Sequence, residues 1–406
     1  MEKVVFDITS PEYRKDPYPV YAHFREHDPV HYFTFKGFQE EVPSWLITRY
    51  DDCVALLRDN RLTKDVNNIF SKEDLQKRSE DRDLAFLSEH MLMKDPPDHT
   101  RLRSLVHQVF TPRMIENLRT RIEEIADQLL DEMEKKSTGE LLSDFAFPLP
   151  IIVISEMMGI PPEKREQFRI WSNALIDESN DESKIKDTQL KMKAFKNYIG
   201  ELIKARREHP TDDVISGLVQ AEENGEKLSE EELFSMLFLL IIAGHETTVN
   251  LIANGTLALL KHPDQFKRLK EQPELIGTAV EELLRFTNPV QITTQRWANE
   301  DFVFHGQPIK KGDGVWIAIG SANRDPAQFE KPEKLDIGRT PNRHIAFGFG
   351  IHFCLGAPLA RLEGQIALNA LFKRFPHMEL AIEEDQIKWR NASIFRGLVE
   401  LPVRFS

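Results

Sequence analysis

The sequence predicts a mainly α fold with a minor β region, and three observations carry that reading. Helical periodicity runs through most of the chain. One proline-free apolar segment, residues 229–262, is long enough to cross a whole domain. Strand-like alternation is confined to the start and the last third.

In chain order, PVHYF (29–33) and SWLIT (44–48) read as an early pair of strands, followed by the short helix YDDCVALLRDN. Cys53 lies on that helix beside Val54, Leu56 and Leu57 and reads as a small buried hydrophobe. Helical patterns follow at residues 99–136, 147–160, 163–177, 185–208 and 211–223. The next segment, SEEELFSMLFLLIIAGHETTVNLIANGTLALLKH, opens on Ser229 and Glu232 in the form of a capping box and meets no proline before Pro263. As a helix it would run about 50 Å, a central strut. In its middle the apolar run gives way to Ala243, Gly244, His245, Glu246, Thr247 and Thr248. Burying such groups is costly unless they meet a cavity, water or a ligand, and Gly244 removes bulk where a ligand would approach. Strand-like segments return after Pro289 in TTQRWA, FVFHG, GVWIAI and near the C-terminus.

With 406 residues, 41% hydrophobic and 29% charged, the chain reads as a folded, soluble protein. No linker, repeat or charge block divides it, which predicts one domain over residues 1–406. Its first residues lack the apolar core of a signal peptide, and the apolar run 236–244 is too short to span a bilayer. Cytoplasmic location without a membrane is expected. Two cysteines fit a reducing compartment, and a formal charge of −13 argues against nucleic acid as the main partner.

Two motif-like strings fail on chemistry. HETTV (245–249) lacks the second histidine of a zinc-protease helix, because Val249 stands there. GFGIHF (348–353) carries Phe353 at the third glycine position of a dinucleotide fingerprint, with no βαβ unit around it. Cys354 is different. It lies in FGFGIHFCLG, where a glycine-rich loop enters the helix suggested by APLARLEGQIALNALFKRF. A helix N-terminus favours thiolate, yet one thiolate builds neither a tetrahedral zinc site nor an iron–sulfur cluster. Two readings stay open on the residues alone: an inert cysteine at a helix start, or the one-sided ligand of a haem iron.

Phe347-x-x-Gly350-x-x-x-Cys354-x-Gly356 resembles the haem-binding signature of the cytochrome P-450 monooxygenases. Residues 243–248 are similar to that family's oxygen-binding motif, and Glu282-Leu283-Leu284-Arg285 to its Glu-x-x-Arg motif. The resemblance covers essentially the whole chain and is strongest to soluble bacterial members, including Bacillus-type enzymes that hydroxylate polyketides and macrolides. It implies a triangular-prism fold with the long central helix over a haem b (iron protoporphyrin IX). Cys354 would be the iron ligand, with Ala243, Gly244, Phe347, Gly348 and Gly356 against the macrocycle. His99, Arg103, Arg296 and His352 would hold the propionates. Glu246 and Thr247 would be catalytic, a carboxylate relaying protons and a hydroxyl positioning water. Glu282 and Arg285 would form a structural ion pair completed by Arg339 or, as an alternative, Arg343.

The same resemblance lines a substrate pocket with Leu239, Ile242 and Ala243 from the helix, Val290, Ile292 and Thr293 from one turn, and Ile394 and Phe395 from another. The segment at 62–95 and the helices at 165–195 would add to it. Such walls suit a small apolar organic substrate, with a polyketide ahead of fatty acids, steroids and terpenoids. Further expectations are O2 as co-substrate, electrons from NAD(P)H through a reductase and a ferredoxin or flavodoxin, and a monomer. The donor would dock on a basic patch for which Arg113, Arg361, Lys373 and Arg374 are candidates. A haem-based sensor or a peroxygenase would not need the Glu246–Thr247 pair.

Overall fold

The computed structural model describes residues 6–8, 10–36, 41–71, 73, 75, 89–176, 182–221 and 225–405. Chain contacts divide the protein into two units, one of Met1–Leu62, Arg121–Leu149 and Thr247–Ser406, the other of Thr63–Thr120 and Pro150–Glu246.

The first unit holds the sheet. Strands β1 (Val30–Lys36) and β2 (Glu41–Ile47) pair antiparallel with Val30 opposite Ile47. Strands β3 (Arg296–Ala298) and β4 (Gly314–Ile317) continue the order β1-β2-β4-β3 within a five-stranded sheet whose fifth strand is Leu62–Thr63, with β2 and β4 parallel. Two apolar clusters cover the sheet, one around Trp45, Cys53 and Val315, the other around Tyr21, Leu46 and Trp316. Alternate strand residues point to opposite faces, so each cluster takes one set.

Helices supply most of the rest. The expected run over 99–136 resolves into α1 (Asp98–Val109), Pro112–Asn117 and Arg119–Glu134. The first break falls where Pro112 can only begin a helix and Thr111 accepts from the Met114 N–H as its cap. In the second unit, α2 (Arg165–Ile176) packs on α3 (Glu182–Glu208) through Phe168, Trp171 and Phe195.

The apolar segment is one helix, α4 (Glu230–Leu260), of 31 residues, about 47 Å long. Ser229 and Glu232 exchange the two hydrogen bonds of a capping box, 2.9 and 3.1 Å. Among the described residues it is the one helix long and apolar enough to cross a bilayer, yet 67% of its most apolar 18-residue window is buried in protein.

Two further helices, α5 (Ile276–Thr287) and α6 (Ala357–Arg374), pack against its C-terminal half through glycines. A Cβ on Gly364 would stand 2.8 Å from Leu251, and one on Gly255 3.2 Å from Leu283. Beside these contacts Glu363 of α6 is fully buried and hydrogen-bonded to Thr248 of α4. Burial pushes its pKa up to about 8, against a partial lowering by Thr248. Its unfolded counterpart ionises near 4.5, so this group contributes no slope below that pH. Between about 4.5 and about 8 the unfolded chain loses the proton first, and stability falls by up to about 1.4 kcal/mol per pH unit. Glu363→Gln is expected to flatten this part of a urea-midpoint profile against pH.

Candidate haem-thiolate site

Cys354 stands two residues before Gly356, which caps α6. Its N–H donates to the Phe347 carbonyl at 2.9 Å, closing the loop, and the Gly348 N–H donates to Ile345 at 2.8 Å. Gly348 and Gly350 take φ of 72° and 78°, the left-handed region where a side chain is strained. At Gly350 a Cβ would also sit 3.1 Å from the Leu57 carbonyl oxygen. The loop thus presents Cys354 exposed, with Ile351 and Phe353 exposed beside it and His352 half-buried.

Cys53 contrasts in every respect. It is fully buried, hydrogen-bonded to the Ile47 carbonyl, and burial pushes its thiol pKa well up. No group of three or more His, Cys, Asp or Glu side chains suited to a metal ion occurs among the described residues. One accessible thiol on a glycine-built loop would suit the single protein ligand of a haem iron.

The loop has a buttress that sequence reasoning missed. The Arg361 guanidinium lies 4.6 Å from the Phe347 ring centre and reaches Glu281 through Nε at 2.6 Å and Nη2 at 2.9 Å. His344 Nε2 meets the same carboxylate at 3.0 Å. Burial works to raise the Glu281 pKa, but hydrogen bonds from His344 and Arg361 outweigh it and hold it at about 2. Arg361, a candidate for the donor's docking face, is thus already paired within the chain. So is Arg374, which is held by Asp131 at 2.7 Å and Glu134 at 2.9 Å. The adjacent acids Glu281 and Glu282 were the available signal, since neighbours on a helix must take separate partners.

Glu282 and Arg285 are both at 0% exposure and form a two-pronged pair at 2.8 Å. Arg339 Nε adds contacts of 3.1 and 3.0 Å to the two carboxylate oxygens, with the Asp336 N–H and Asn342 Nδ2 completing the shell. Arg343 takes no part in it: its carbonyl accepts from the Tyr50 hydroxyl. Nη1 of Arg285 donates to the Asn323 and Pro332 carbonyls, which ties the helix to two loop segments.

Along α4, Leu239, Ile242 and Thr247 are half-buried and Ala243 is exposed, while the flanking His245, Glu246, Thr248 and Val249 are buried. Spacings of three, four and eight put the less buried residues on one face. Gly244 serves packing as well: a Cβ there would lie 3.2 Å from Ile154. His245 Nδ1 is held by the Ile241 carbonyl at 3.0 Å.

The two expected pocket turns are joined to each other. Val290 and Phe395 form an antiparallel bridge, and the Gln291 N–H donates to Ile394 at 2.8 Å. Val290, Thr293, Ile394 and Phe395 remain half-buried. Ile292 departs from the expectation. At 0% exposure it packs into the cluster with Tyr21, Leu46 and Trp316, because it points to the sheet side of its segment. Residues 72, 74, 76–88 and 177–181 of the segments expected to add to the pocket lie outside the described residues.

The polar residues expected at the propionates are placed as follows. Arg296 is buried on β3 with Nη1 3.4 Å from Thr293 Oγ1. His99 and Arg103 lie one turn apart on α1, His99 buried. Burial, then the Arg103 charge, lowers the His99 pKa, so at neutral pH it offers an uncharged ring N–H.

An exposed thiol on such a loop and an acid–alcohol pair on α4 are features that a haem-thiolate oxygenase would need. A profile of the cytochrome P450 family matches residues 164–394. The polyketide biosynthesis cytochrome P450 PksS of Bacillus subtilis (strain 168) is 58% identical over 406 residues, 100% of both chains. Its solved structure superposes with a TM-score of 0.93 over 99% of this chain and 100% of that one, at 57% identity. The monooxygenase PikC of Streptomyces venezuelae is 42% identical over 97% of this chain and 92% of its own. P450BioI, solved with an acyl carrier protein bearing hexadec-9Z-enoic acid, gives a TM-score of 0.89 at 41% identity over 98% and 99% of the two chains. This chain belongs to the cytochrome P450 family and is a monooxygenase. The family implies a haem-thiolate cofactor, an apolar substrate and redox partners.

Proposed function

We propose that the protein hydroxylates an apolar polyketide- or macrolide-like metabolite in the cytoplasm, as a monomeric single haem domain over residues 1–406. The observation that carries this reading is the face of α4 formed by Leu239, Ile242 and Ala243, an apolar surface left less buried beside Glu246 and Thr247. A relative named for polyketide biosynthesis supports the substrate class. Haem b, when bound, supplies the activation of O2. Cys354 Sγ would be its protein ligand, Phe347 would cover the sulfur side, and His99, Arg103, Arg296 and His352 would hold the propionates. The carboxylate of Glu246 holds and passes protons, and Thr247 Oγ1 orders the water that receives them. Electrons come from NAD(P)H through a reductase and a ferredoxin or flavodoxin. Of the four cations expected at the docking face, Arg113 and Lys373 remain candidates.

A screen of apolar polyketides for substrate-induced spin-state shifts, followed by mass analysis for the gain of one oxygen, tests the reading. Binding restricted to short polar compounds would refute it.

Thr247→Ala should keep haem and substrate binding while product formed per NAD(P)H oxidised falls several-fold. Glu246→Gln should instead slow turnover itself, by about a hundredfold, because the relay loses its ionisable member. Equal coupling in Thr247→Ala and parent would remove that hydroxyl from the mechanism.

A further inference from the structure

Two asparagines interrupt the apolar C-terminal half of α4. Asn250 and Asn254, four residues apart, are buried among Leu251, Ile252 and Ala253, which are buried as well. Burying an amide is costly unless it is hydrogen-bonded, and a leucine would fill the same space without that cost. Asn254 Nδ2 donates to the Arg396 carbonyl at 2.7 Å. Gly397 comes so close to the helix that a Cβ there would stand 2.3 Å from Asn250 Oδ1. Both asparagines therefore meet the turn that carries Ile394 and Phe395.

Arg396 holds that turn from its other sides. Its N–H donates to the Pro289 carbonyl at 2.9 Å, and its guanidinium lies 3.6 Å from the Trp389 ring centre. Nη1 and Nη2 donate to the Arg14 and Lys15 carbonyls at 2.7 and 2.9 Å. These two carbonyls end the short helix Pro11–Lys15, where no intrahelical N–H remains to take them. The Arg390 N–H closes the turn on the Gly397 carbonyl at 2.9 Å. Packing supplies less. A cavity lined by Tyr13, Arg14, Trp389, Ser393, Phe395 and Arg396 borders the turn, and Ile394 and Phe395 stay half-buried. The place of the turn is set by hydrogen bonds more than by neighbours filling space.

We propose that Asn254 and Arg396 are positioning residues that fix the turn of Ile394 and Phe395 against the substrate, so that the selectivity of the pocket depends on two side chains outside its expected lining. The inference rests on the proposed pocket in which Ile394 and Phe395 form one wall. A wall held in place before binding spares the ligand the cost of ordering it, and that cost returns when either tie is cut.

The test measures the affinity of the holoenzyme for imidazole and for 1-dodecylimidazole, each read from the spectral shift of nitrogen ligation. Only the second is long enough to touch a pocket wall. Asn254→Leu should weaken 1-dodecylimidazole about tenfold and leave imidazole within about twofold. Arg396→Lys, which leaves α4 untouched, should do the same and carries the test if Asn254→Leu does not fold. Phe395→Ala should also weaken the long probe. Thr256→Val should weaken neither, since the Thr256 hydroxyl donates within α4, to the Ile252 carbonyl at 2.8 Å. Amides of residues 389–397 should exchange with deuterium faster in Asn254→Leu than in the parent, and at the parental rate in Thr256→Val. Long-probe affinity that holds or rises in the positioning variants that fold, while Phe395→Ala lowers it, would overturn the proposal alone. No effect in Phe395→Ala either would mean that the turn is not a pocket wall, and the pocket reading would fall together with the proposal. Equal losses for both probes would show a general structural role and overturn it too. A failed polyketide screen leaves these outcomes readable, because the probes are azoles.

Discussion

Cys354→Ser should yield a folded protein whose reduced carbon monoxide complex lacks the red-shifted Soret band of a thiolate ligand and whose product formation falls to the detection limit. The loop bonds that shape the site come from the backbone, Cys354 N–H to Phe347 and Gly348 N–H to Ile345, so serine can occupy the position without unfolding it. What is lost is the sulfur and its electron donation. Cys53→Ser is the control. That thiol is fully buried in the cluster around Trp45 and Val315 and gives its hydrogen bond to Ile47, so its replacement should leave the spectrum intact. A Cys354 variant that kept the thiolate-type band would overturn the ligand assignment.

The second large effect is expected at the buried carboxylate of Glu282. Arg285→Ala would leave Glu282 at 0% exposure with a negative charge and only Arg339 as a cationic partner. It would also strand the carbonyls of Asn323 and Pro332. Breaking a buried pair in this way costs about 3–5 kcal/mol. The measurement is a urea midpoint together with the haem-to-protein ratio of the purified enzyme, and both should fall. Arg339→Lys should lose much less, since a single cation still reaches the carboxylate. If Arg285→Ala held its midpoint to within about 1 kcal/mol, the pair would be an ordinary surface contact in energetic terms.

The central helix and the cysteine loop were legible because their signals are local. Ser229 with Glu232 announces a helix start, Pro263 a stop, and glycines flanking Cys354 mark a loop that must turn in left-handed conformations. Arg339 was legible through the resemblance to a known family. What stayed hidden depends on partners distant in sequence. Arg361 reads as a surface cation until Glu281, eighty residues earlier, is seen between it and His344. Arg374 reads the same way until Asp131 and Glu134 appear beside it. Ile292 sits among apolar neighbours, so its sequence cannot say that it faces Tyr21 and Trp316 while Val290 and Thr293 do not. Glu363 looks like a helix-surface acid in LARLEGQ, and only its burial, partly opposed by the Thr248 hydrogen bond, raises its pKa to about 8.

The glycine contacts between α4, α5 and α6 have a consequence for how the protein opens. Gly364 against Leu251 and Gly255 against Leu283 and Leu368 leave no room for one helix to slide without clashing with another. Amide protons in these three helices should therefore exchange with deuterium as one cooperative block, at the slow rate set by opening of the whole block. Fraying should be confined to elements held by exposed pairs, such as the helix Arg119–Glu134 near Arg121 and Glu124. In that picture Cys354 and Thr247, proposed above as haem ligand and catalytic alcohol, would stay in register through every cycle of substrate entry and release.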